Sequence, residues 1–126
     1  MKTEIYSNNA PKPIGPYSQA IKHGNMIFIS GQIAMDYQNS NIINENIAEE
    51  TETVMKNIMS ILKESGCNFQ NIVKCSIFLS DMSLFDEVNK IYSKYFSHPF
   101  PARETVEVSK LPKNVNVEIS AIAITK

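Results

Sequence analysis

The amino-acid sequence predicts an α+β domain, on three observations. Six stretches carry the period-two or all-apolar pattern of β-strands, and two others carry the 3.6-residue period of amphipathic helices. At 126 residues, 43% of them hydrophobic, the chain is long enough for one core but not for two. With no repeats, low-complexity tracts or linkers, residues 1–126 read as a single domain.

Residues 2–6 suit a short edge strand. "NNAPKPIGPYS" follows as a loop stiffened by Pro11, Pro13 and Pro16, with Gly15 free to take an unusual φ. In "SQAIKHGNMIFISG" a Gly-Asn pair separates two β-prone runs, the pattern of a hairpin. Met26 to Ile29 is apolar on both faces, as suits a strand whose second face is also covered.

A helix is predicted from Asn46. Ile47, Thr51, Val54, Met55, Ile58, Met59 and Leu62 keep the helical period, and Gly66 suits a left-handed cap. Glu49, Glu50 and Glu52 crowd its positive end. "NIVKCSIFLS" then alternates, which puts Val73, Cys75, Ile77 and Leu79 on one face. A second helix is predicted from near Ser83, with Asp86 completing a capping-box variant. Its stripe holds Leu84, Phe85, Val88, Ile91, Tyr92, Tyr95 and Phe96, so both helices are expected to lie on a sheet.

The last third reads as a hairpin of strands 101–109 and 115–124. Setting all its valines on the core face pairs Val106 with Val117 and Val108 with Val115. Arg103 and Glu118 then become diagonal neighbours on the outer face, roughly 6–8 Å apart at Cβ. Pro99 and Pro101 leave the chain little freedom on the way to Arg103. On a solvated face such a pair is ordinary, worth about 0–1 kcal/mol. Ile122 and Ile124 share that face, which a purely solvated surface would not favour. If Phe28 or Phe78 joins them, a subunit interface is the better account, and there a guanidinium fork holds a carboxylate far better than in water.

Composition excludes several classes. Twelve basic against 13 acidic residues leave a net charge of −1, so no global field recruits nucleic acid or an anionic membrane. The N-terminus lacks the apolar core of a signal peptide, and no run approaches membrane-spanning length. Cys67 and Cys75 read as reduced thiols, and a cytoplasmic protein is expected. His23 and His98 are isolated, so no metal site is expected, and "SGQ" lacks the nucleophile-elbow pattern.

Five blocks in order, "IGPYSQA" (14–20), "ISGQI" (29–33), "PAR" (101–103), "VEVSKLPK" (106–113) and "VEISAIA" (117–123), resemble the YjgF-type Rid family, its RidA branch above all. The resemblance implies a chorismate-mutase-like α+β fold: a mostly antiparallel six-stranded sheet with two helices on one face. It further implies a homotrimer with a site at each subunit interface. The implied activity is cofactor-free hydrolysis of 2-imino acids and their enamine tautomers, such as 2-aminoacrylate, to 2-oxoacids and ammonia. A sensor that only binds 2-oxoacids, or a ribonuclease that inhibits translation, are the alternatives the family allows.

By that resemblance Arg103 clamps the substrate carboxylate and Glu118 handles water and its proton. Tyr17, Ser30 and Gly31 line the pocket, Asn89 stands near it, and the Thr105 N–H contacts the ligand. Beside Arg103, Glu118 is expected to stay ionised. The chain departs from the family at Thr105, where cysteine is frequent, at Glu50 and Ser120, and in the polar loop 34–45. Substrate preference is where those departures bear.

Overall fold

Gly24, at φ 61°, turns the chain between β2 (Ala20–His23) and β3 (Met26–Gln32), the antiparallel hairpin that the Gly-Asn pair predicts. The computed structural model describes residues 1–126. β1 (Thr3–Ile5) adds to β2 as an edge strand. Helix α1 (Ile47–Glu64) starts where Asn46 accepts a hydrogen bond from the Glu49 N–H at 2.8 Å. It stops before Gly66 at φ 71°.

β4 (Ile72–Leu79) carries a bulge between Ile72 and Lys74. Ile72 therefore takes the core position that strict alternation would give to Val73, which is 43% exposed. Cys75, Ile77 and Leu79 keep their predicted burial. The second helix differs at its start. Asp81 caps a 3₁₀ turn, Met82–Leu84, by accepting from the Ser83 N–H, and α2 (Phe85–Ser93) continues from it with no side-chain cap. Asp86 lies inside the first turn of α2, so it does not serve as a capping box.

The six strands form one sheet in the order β1-β2-β3-β6-β4-β5, where β5 spans Ala102–Glu107 and β6 spans Val117–Ile124. Every pairing is antiparallel except β4 with β5. The expected β5–β6 hairpin does not form. β6 inserts between β3 and β4, and β5 runs parallel to β4 on the far edge. The reason is burial: Val117, Ile119, Ala121 and Ala123 are all buried on one side, with Ile122 and Ile124 on the other, a central-strand profile. β5, with Val106 41% exposed, has an edge profile. A strand–helix–strand order also supplies the crossover a parallel pair requires.

Both helices cover one face. Val54, Met55, Ile58, Ile61 and Leu62 of α1 and Val88 of α2 share a core with Ile27, Ile29, Ile77, Leu79, Val117 and Ile119 of the sheet. The other face carries no helix. Met26 and Phe28 are about two-fifths exposed there, and Phe78, Ile122 and Ile124 are partly exposed beside them.

One buried carboxylate ties helix to sheet. Glu50, fully buried on α1, accepts from the Asn116 N–H at 2.7 Å, from Asn116 Nδ2 at 2.9 Å and from the Val117 N–H at 3.2 Å. Glu50→Leu strands those donors and is expected to cost about 3 kcal/mol, read as a fall of roughly 10 °C in melting temperature.

Candidate active site

Arg103 pairs with Cys75 in the parallel β4–β5 register, so its side chain leaves the sheet on the helix-covered face. There α2 meets it. The guanidinium Nη1 donates to Asn89 Oδ1 at 2.6 Å, and its central carbon lies 4.9 Å from the Tyr92 ring centroid and 5.7 Å from that of Phe85. Phe85, Asn89 and Tyr92 stand at i, i+4 and i+7, one helical stripe. Phe85 and Tyr92 were legible as part of an apolar stripe, but their place beside a cation was not. Asn89, Tyr92, Ser93, Phe100, Pro101 and Arg103 surround an open cavity of about 410 Å³. Thr105 follows two residues along the same face, its hydroxyl buried and without a partner.

Glu118 lies elsewhere. It pairs with Phe78 on the helix-free face, so Arg103 and Glu118 point to opposite sides of the sheet rather than lying diagonal to each other. No cation stands by Glu118, and burial raises its carboxyl above the usual carboxylate range. The expectation of an arginine-stabilised carboxylate is therefore reversed for the single chain.

Glu118 packs against Gly31 instead. A Cβ placed on Gly31 would sit 2.5 Å from Glu118 Oε2, so only glycine leaves that carboxylate where it is. Gly31 falls in the irregular stretch of the β3–β6 pairing between Ile29 and Gln32. Tyr17 and Gly31 line one small hollow with Ile14 and Ile33. Tyr17 is 48% exposed, and its hydroxyl accepts from the Ile14 N–H at 3.3 Å. Ser30 donates to the Ser18 carbonyl at 2.6 Å, which joins β3 to the Tyr17 loop and leaves its oxygen free to accept. Gln19, unremarked in the sequence, braces that loop. Its buried amide donates to the carbonyls of Ser7, Ala10 and Pro11 and accepts from the Ser7 N–H.

The seven candidates thus fall into two groups. Arg103, Asn89 and Thr105 gather between α2 and the sheet edge, while Tyr17, Ser30, Gly31 and Glu118 gather around the β3 irregularity. Two further hollows, of about 450 and 510 Å³, contain none of the seven.

The fold is thus a small two-helix α+β sheet with an amide-oriented cation at one edge and a partly buried carboxyl group on the helix-free face. The family described as Endoribonuclease L-PSP matches residues 7–125. A RutC family protein of Pyrococcus horikoshii is 48% identical over 123 residues, 98% of each chain. The human 2-iminobutanoate/2-iminopropanoate deaminase is 45% identical over 95% of this chain and 88% of its own. Among solved structures, E. coli TdcF with bound serine superposes with a TM-score of 0.93 at 32% identity, covering 98% of this chain and 99% of its own. The chain belongs to the YjgF/RidA family.

Proposed function

We propose that this chain hydrolyses 2-imino acids, and the enamines in equilibrium with them, to 2-oxoacids and ammonia. The observation that carries the reading is Arg103, oriented by Asn89 at an open cavity, in a chain 45% identical to a human protein named for that reaction. The guanidinium fork grips the substrate carboxylate and fixes where the C=N carbon sits. An imine is electrophilic already and needs only a placed water and a proton. Glu118, with its carboxyl raised by burial, suits that proton transfer better than a fully ionised carboxylate would. Tyr17 and Ser30 border the carboxylate's side, and Thr105 offers its N–H on edge strand β5.

Because Arg103 and Glu118 leave opposite faces of one sheet, the complete site is assembled between copies. One protomer supplies Arg103, Asn89 and Thr105, and its neighbour supplies Tyr17, Ser30, Gly31 and Glu118. The apolar helix-free face of Phe28, Phe78, Ile122 and Ile124 supports association of copies, as a homotrimer in this reading. No helix is long and apolar enough to cross a membrane, and two buried free thiols fit a reducing, cytoplasmic setting. The reaction calls for no cofactor.

The test is a coupled assay: 2-aminoacrylate is generated by a dehydratase, the protein is added, and pyruvate is followed. Faster release, lost without Arg103, supports hydrolysis. Unchanged rates with tight 2-oxoacid binding support the sensor instead. RNA cleavage is disfavoured by the balanced charge. Gly31→Ala is a further check. The new methyl displaces Glu118, so kcat is expected to drop by about tenfold or more while the fold melts normally.

A further inference from the structure

We infer that Tyr92 is a positioning residue for Arg103: its buried ring is the shelf that holds the guanidinium aimed at the cavity before any ligand arrives. The inference rests on the reading of Arg103 as the carboxylate clamp, and adds to it a residue that the five family-like blocks do not include.

Four observations carry it. The guanidinium carbon sits 4.9 Å from the Tyr92 centroid, nearer than the 5.7 Å to Phe85. The ring is itself packed in place, with Tyr92 only 5% exposed and its centroid 4.6 Å from the tilted ring of Phe96, which packs edge-on against Phe69 of the core. Asn89, one turn earlier on α2, accepts from Nη1, so ring and amide grip the group from two directions. Finally, the Tyr92 hydroxyl lies against the buried Cys75 thiol of β4, which fixes the far end of the ring.

A free arginine samples many rotamers and loses that freedom on binding. A cation–π contact with a buried ring offsets part of that loss in advance. The ring face does the work, so phenylalanine should replace tyrosine. Removing the hydroxyl gives up only its contact with the Cys75 thiol, so stability should change little.

Arg103 is the only arginine in the chain, so its Nε gives a single resonance. ¹⁵N relaxation of that nucleus in the free protein is expected to show a rigid group in the wild type and in Tyr92→Phe, and a mobile one in Tyr92→Met. Calorimetry with 2-oxobutanoate is expected to show affinity weakened about tenfold in Tyr92→Met and within about twofold of wild type in Tyr92→Phe. In turnover, KM rises in Tyr92→Met with kcat little changed.

A wild-type Arg103 as mobile as a surface side chain overturns the inference, whether or not the variants fold. So does Tyr92→Met with an Arg103 as rigid as before. An ordered Arg103, released by Tyr92→Met in a protein that hydrolyses no imine, upholds the positioning role and removes only the proposed reaction.

Discussion

Arg103→Ala is expected to lower kcat/KM for imine hydrolysis by about 10²- to 10³-fold, the loss that follows from deleting one partner of a desolvated charge pair. Most of the effect falls in binding, because the carboxylate is gripped in the ground state and in the transition state alike. Arg103→Lys is expected to recover little. An ammonium on a flexible stem offers no planar fork to the carboxylate, cannot lie flat on Tyr92, and reaches Asn89 only in a different geometry. Stability should barely change in either variant, since the guanidinium borders an open cavity. The coupled pyruvate assay and a thermal melt together check this. Full activity in Arg103→Ala would end the proposal.

Glu118→Gln is expected to reduce kcat by about 10²- to 10⁴-fold with KM little altered, as for loss of a general acid–base group. The pH profile identifies the group. In the wild type the acid limb should report Glu118, raised by burial within its own chain and opposed in the assembled site by the neighbour's Arg103. In Glu118→Gln that limb should disappear. Stability gives an independent reading of the same shift. A carboxyl whose folded pKa exceeds its unfolded one binds more protons when folded between those two values, so stability falls as pH rises through that window. Its favourable contribution is complete below the unfolded value and gone above the folded one. Urea titrations at several pH values should show this slope in wild type and a flatter one in Glu118→Gln. An acid limb unchanged by the substitution would assign the titration to another residue.

The two groups of candidate residues also explain why the helix-free face matters. Phe28, Phe78, Ile122 and Ile124 lie on the same side of the sheet as Glu118. A neighbour laid over that face would cover the carboxylate from solvent and bring its own sheet edge close to it. Light scattering of the purified chain is expected to return three times 14.2 kDa. A monomer at assay concentration would leave Arg103 and Glu118 on separate sides of one sheet with nothing to join them.

What the sequence determined by itself was local. The Gly24 turn, the Asn46 cap, the Gly66 stop and the faces of both helices follow from spacing between near neighbours, and short-range sterics and hydrogen bonds decide them. Five of the seven candidate residues stand in the five family-like blocks, while Asn89 and Thr105 lie outside them. Beyond the β2–β3 hairpin, which strands pair was decided only by the tertiary structure. The valine pattern of residues 101–124 is compatible with a hairpin. The chain places β6 at the centre because a strand apolar on both sides gains more there, and sends β5 to the edge beside β4. That single choice moved Arg103 to the face opposite Glu118, onto the ring of Tyr92. Burial is summed over the whole sheet, and no stretch of sequence contains the sum.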